Sequence, residues 1–330
     1  MPAPLQRDIH LDNAKGLLMV LVLAGHLVWP VPSPDRATDA LYVFIYAFHM
    51  PLFALVSGFL SHADWNPARI GREAGRLLVP YAVFAAIQWL LMRGLGLAPN
   101  PVIEGHYGLW FLMSLFCWRA LLPLLMRLPG PWPLLAGLGA ALACGYLPFV
   151  GMGFSLSRTL VFLPCFLAGH LLRARGFALS RPANPLRGTL GLLALALLCI
   201  PLAARNVHPV LYSAHSYQVL GLDPITAPLV RLARLGLALG GGFALLAVTP
   251  VRPCLLTKVG ERSLTVYLLH SPLLVLYRAF PRAWDPLGRW WFAIPPLALA
   301  LAWLLSRRAV ARAARPLTAP LSLLPRRKGT

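Results

Sequence analysis

Three histidines lie deep within apolar stretches of the chain: His26, His49 and His270. Imidazole is the side chain whose ordinary pKa suits proton transfer near neutral pH. Ionisable groups inside long apolar runs are expensive, and they mark functional sites by default. On a helix, His26 lies about 16 Å beyond Lys15, His49 about 15 Å beyond Asp39, and His270 about 12 Å beyond Arg262. In a hydrocarbon core about 30 Å thick, all three come near the middle. Spacing leaves open whether they face one cavity or each satisfies itself against a carbonyl between helices. Arg158 and Arg119 lie less deep.

The elements that must carry these residues follow from composition. Of 330 residues, 58% are hydrophobic and 12% charged, whereas soluble domains carry roughly 25% charged residues. A soluble core of this size has no way to bury so much apolar surface, so the expected fold is all-α, a polytopic transmembrane helix bundle. About ten spans are expected, near residues 14–31, 41–61, 75–93, 108–126, 132–149, 156–174, 188–204, 226–248, 260–279 and 289–306. With both termini in the cytoplasm, 21 of the 30 Lys and Arg fall on inner segments and 9 on outer ones, as the positive-inside rule requires. That topology accounts for the net charge of +20. Nucleic acid is not an expected partner, because no basic helix or aromatic platform matches a recognised reader.

The first apolar run has no small-residue cleavage site after it, and reads as a retained span. The five cysteines form no C-x-x-C pair and read as small buried hydrophobes, with no metal site expected. Residues 1–306 form the expected membrane domain and 307–330 a basic tail. The tail is a solvated flank in one reading and a contact for anionic lipid in the other. The longest outer loop, about 205–225, carries His208, Tyr212, His215, Tyr217 and Asp223.

Several blocks carry a resemblance. Asp12, then Lys15, then ten residues, then His26 opens the chain. Phe48-His49-Met50-Pro51-Leu52-Phe53 precedes Val56-Ser57-Gly58-Phe59-Leu60. Arg69-x-x-Arg72 and Arg76-Leu77-Leu78-Val79-Pro80-Tyr81 follow, then Leu109-Trp110-Phe111-Leu112 and Val266-Tyr267-Leu268-Leu269-His270-Ser271-Pro272. In order and position these resemble the acyltransferase 3 family of membrane O-acyltransferases, in its single-domain form related to fucose 4-O-acetylase. That family often has Arg where Lys15 stands; Lys keeps the charge and loses the bidentate fork.

The resemblance implies transfer of an acyl group, usually acetyl from acyl-CoA, to a hydroxyl of a cell-envelope carbohydrate or other acceptor, at the cell inner membrane. It implies a donor substrate rather than a permanently bound cofactor. His26 then acts as general base or acyl carrier, with His49, His270 and Asp12 in the catalytic group. Asp12 is too distant along a continuous helix to touch His26, and pairs with Lys15 instead. Lys15, Arg69, Arg72 and Arg76 are the expected partners of the coenzyme A phosphates. Tyr107, Trp110 and Ser57 are expected at the acceptor. Two other classes compete: a transporter of a small solute or lipid-linked sugar, which midplane histidines and broken helices also fit, and a membrane assembly protein, which has no need of histidines at one depth.

Overall fold

The computed structural model describes residues 8–28, 36–64, 66–99, 108–179, 184–205, 207–280 and 290–323, all helix, turn and loop. The helices are α1 (Ile9–Val28), α2 (Arg36–Phe59), α3 (Pro67–Gly94), α4 (Trp110–Leu125), α5 (Trp132–Ala143), α6 (Leu156–Ala174) and α7 (Pro185–Ala203). They continue with α8 (His208–Tyr212), α9 (Ala227–Val248), α10 (Leu255–Glu261), α11 (Ser263–Ala279), α12 (Ile294–Leu305), α13 (Arg308–Ala313) and α14 (Arg315–Thr318). Every expected span thus has a helical counterpart. The helices of α1, α2, α3, α6, α7 and α9 are long and apolar enough to cross a membrane, while α4, α5, α11 and α12 are shorter. The outward faces are what a bilayer solvates: α7 exposes Leu186, Leu190, Leu193, Leu197 and Ile200.

Local signals set the helix starts. Asp8 accepts the Leu11 N–H at 3.1 Å, so α1 begins before the apolar run and takes Asp12 and Lys15 into its first turns. Asn66 caps α3 and Asn184 caps α7, each followed by a proline at the first helical position. The expected ninth span is broken: α10 ends at Glu261 and α11 begins at Ser263.

Glycines set the closest crossings. A Cβ on Gly58 would fall on the Phe166 carbonyl, and one on Gly169 on the Leu55 carbonyl, so α2 and α6 meet backbone to backbone. Gly16 and Gly260 do the same for α1 and α10, against Leu256 and Asp12. The described part of the basic tail is not a free flank. It forms α13, α14 and a short 3-10 turn, and Leu321 reaches Gly75 on α3.

Candidate active site

The end of α1, the middle of α2, the start of α4 and the body of α11 bring the imidazoles together. His26 and His270 lie with ring centroids 5.5 Å apart, tilted by 33°. Gly108, just before α4, has φ +95°, and a Cβ there would stand 3.3 Å from His26 Nε2 and 3.4 Å from His270 Nε2. Both Nε2 atoms therefore face one stretch of backbone that only glycine leaves open. His49 and His270 are buried, and His26 keeps more accessible surface than either.

Hydrogen bonds fix two of the tautomers. His270 donates from Nδ1 to the Tyr267 carbonyl, and His49 donates from Nδ1 to the Ile45 carbonyl at 2.7 Å. A carbonyl only accepts, so in the neutral ring each Nε2 carries the lone pair. His270 Nε2 is buried with no hydrogen-bond partner among the described residues. Pro272 explains part of the local geometry. It has no N–H for the Leu268 carbonyl, and Ser271 Oγ donates to that carbonyl instead, at 2.8 Å. The Phe111 N–H donates to the Tyr267 hydroxyl (3.3 Å) and the Tyr277 hydroxyl to the Leu27 carbonyl (2.8 Å), tying α4 and α1 to α11. His49 packs edge-on against Tyr46 and lies within electrostatic reach of His26, as do Arg158 and Arg278.

Trp110 is buried in this group, but its ring already carries the Arg158 guanidinium at 5.0 Å and packs against Phe162. Ser57 lies eight residues past His49, about 12 Å along α2, where its carbonyl accepts from Ser61 Oγ. It is not beside the imidazoles. Tyr107 lies outside the described residues.

At the other end of α2 is a pocket of about 200 Å³ lined by Ser61, His62, Arg69, Glu73, Arg76 and Arg119 among others. Arg69 pairs with Asp64 at 3.1 Å and Arg119 with Glu73 at 2.5 Å. Burial and the neighbouring Arg173 and Arg69 hold the His62 imidazole below its usual range. Arg76 lines the pocket with no hydrogen-bond or ion-pair partner among the described residues. Of the four expected donor-binding cations, Arg69 and Arg76 are brought together, while Arg72 points away, exposed. Lys15 is held by Asp12 at 2.7 Å, the expected i,i+3 pair.

Residue types and spacing did not reveal Gly108, because a positive φ leaves no mark in sequence beyond glycine itself. They also missed Asn13. Buried beside Asp12, it donates to the Pro250 and Arg252 carbonyls and accepts from Thr257 Oγ1 at 2.6 Å, anchoring the turn before α10. Its place between Asp12 and Lys15, ahead of the apolar run, gave it no mark of its own.

A family model described as an acyltransferase domain matches residues 8–307. The chain belongs to the acyltransferase 3 family. Its long apolar helices make it a membrane protein of that family. The chain is similar to the nodulation protein NolL of Mesorhizobium japonicum, 36% identical over 94 residues, covering 26% of this chain and 25% of the relative. The NolL of Sinorhizobium fredii is 37% identical over 90 residues, 24% of each. The chain thus spans about a quarter of the length of the curated relatives it matches. No solved structure matches it.

Proposed function

We propose that this acyltransferase moves an acetyl or other acyl group from acyl-CoA to a hydroxyl of a cell-envelope sugar or related acceptor, at the cell inner membrane. The convergence of His26 Nε2 and His270 Nε2 on the Gly108 backbone carries the reading. A sugar hydroxyl is a weak nucleophile and needs a base in hydrogen-bond reach. With the hydroxyl in front of Gly108, His26 takes its proton as the oxygen attacks the thioester carbon. The carbon–sulfur bond breaks, and the proton passes to the thiolate of the leaving coenzyme. In the covalent alternative His26 itself holds the acyl group before the hydroxyl takes it. In both routes His270, its tautomer set by Tyr267, presents a second lone pair to the same spot.

Coenzyme A is made in the cytoplasm and carries several phosphate charges. The pocket of Arg69, Arg76 and Arg119 supports its seating at the inner face, with Arg76 as the cation not engaged by a carboxylate. The test is transfer of label from radiolabelled acetyl-CoA to membrane or glycan acceptors in vesicles. His26→Ala is expected to lower it by about 10²–10⁴-fold while the protein stays inserted. Full transfer by an inserted His26→Ala protein would sink the proposal. Label that reaches protein but not acceptor, when acceptor is withheld, identifies the covalent route.

A further inference from the structure

Three arginines are buried at the end of the bundle opposite the pocket just described: Arg158 in the first turn of α6, and Arg231 and Arg234 near the start of α9. Arg173, at the far end of α6, donates to the Phe59 carbonyl beside the inner pocket. Arg158 is fifteen residues from it, about 22 Å along the helix. One outer segment crosses all three. Arg158 donates from Nε to the Tyr212 carbonyl at 3.3 Å, Arg234 from Nη2 to the Leu211 carbonyl at 2.9 Å, and Arg231 from Nη2 to the His215 carbonyl at 3.4 Å.

Arg231 is otherwise spent: its Nη1 donates to the Ala141 carbonyl at 2.8 Å, and its guanidinium covers Tyr217. The other two are not. Arg158 Nη2 and Arg234 Nε and Nη1 are buried with no hydrogen-bond partner, and no carboxylate pairs with any of the three, among the described residues. Stapling the outer segment needs one N–H from each side chain, not a whole guanidinium. Isolated charge in an apolar bundle is strongly unfavourable unless an opposite charge arrives. Arg231 and Arg234 line a cleft with Ser213 and Tyr217. Arg158 lies within electrostatic reach of His26, and Arg234 of His49.

We propose that Arg158 and Arg234 form an anion site, and that the acceptor is therefore a negatively charged molecule. It carries a phosphate or carboxylate, held by these guanidiniums while its hydroxyl lies at His26. The role as acceptor rests on the acyl-transfer reading above; the anion site does not. The cleft has room for about one water, so an incoming anion takes over N–H groups now given to the Leu211 and Tyr212 carbonyls. Phosphate-bearing sugars, including lipid-linked ones, and acidic sugars share this chemistry.

The test is binding to the full-length protein in nanodiscs at fixed ionic strength, with glucose 1-phosphate, glucuronate and glucose as probes. At least one charged sugar is expected to bind ten-fold or more tightly than glucose, and which one does names the source. Arg158→Gln and Arg234→Gln abolish that preference; Arg76→Gln keeps it. Equal binding of charged and neutral sugars overturns the site. So does a preference that survives both outer substitutions, or one that Arg76→Gln removes, which would seat the anion in the inner pocket. Should the outer variants fail to fold, amide hydrogen exchange of the unaltered protein decides: the charged sugar, and not glucose, is expected to change exchange in the segment around Leu211 and Tyr212 whose carbonyls now hold the two guanidiniums, and no change there overturns the proposal. His26→Ala keeps the charged-sugar preference while losing transfer, so the two readings fail separately.

Discussion

The two basic regions at the ends of α6 hold their charge in opposite ways. At the inner end, Arg69 and Arg119 are each answered by a carboxylate, Asp64 and Glu73, and the side chains keep some contact with solvent. At the outer end, Arg158, Arg231 and Arg234 are buried against Trp110, Tyr212, Tyr217 and Phe162, and their hydrogen bonds run to carbonyls and, from Arg231, to the Cys144 sulfur. At the inner end Arg69 and Arg119 are neutralised within the protein, while Arg76 and Arg173 meet no carboxylate among the described residues; at the outer end none of the three arginines does. On the proposal above, the charge left without a carboxylate at the outer end is completed by a ligand.

The strongest test of this contrast removes the strut between the regions. Gly169→Leu would drive a side chain into the Leu55 carbonyl and force α2 from α6. Loss of monodisperse protein on size exclusion is expected, and a folded, active Gly169→Leu protein would show that the two ends do not depend on that crossing. Next comes Gly108→Ala, which crowds both imidazoles without touching either basic region. It should lower transfer about 100-fold while donor and anion binding stay within two-fold or so.

The charge contrast itself is read by a pair of substitutions. Arg119→Met leaves Glu73 part-buried and alone, and should cost about 1–3 kcal/mol in thermal or denaturant unfolding. Arg234→Met removes an unanswered charge and should stay within about 1 kcal/mol of the parent. Equal losses would erase the distinction. For the donor, Arg76→Gln should raise the KM for acetyl-CoA about ten-fold with kcat unchanged, and Arg72→Gln should change it less than about two-fold. The smallest effect is a pH dependence. His62 is held in its neutral form below the usual imidazole range by burial and by Arg173 and Arg69. Gaining a proton adds positive charge to the donor pocket. The KM should therefore fall as pH drops below about 6.5, and His62→Gln should flatten that trend.

Much of this was legible in the residues. Apolar runs gave the helices, and the alternation of Lys and Arg gave which residues share an end, since the structure sets Arg69, Arg76, Arg119 and Arg173 at one end and Arg158, Arg231 and Arg234 at the other. The Asp12–Lys15 pair followed from helical spacing. Boundaries were less legible. The early end of α5 at Ala143 falls inside a run whose hydropathy is continuous, whereas the break at Arg262 coincides with the Glu261-Arg262 pair. Of the three arginines expected at the donor, Arg69 and Arg76, seven residues apart, share a face and line one pocket, because rotation about α3 turns Arg72 outward.

By itself the sequence determined the solvent of this protein, its helical content, and the depth at which its ionisable residues lie, because these depend on composition and on rise along a single helix. Only the tertiary structure decided that His26 meets His270 rather than lipid, that Gly108 opens onto both rings, and that three outer arginines share one covering segment. Those relations join residues from distant parts of the chain. They are fixed by how helices rotate and cross where glycines let backbones touch, and neither hydropathy nor charge along one strand of sequence encodes that rotation.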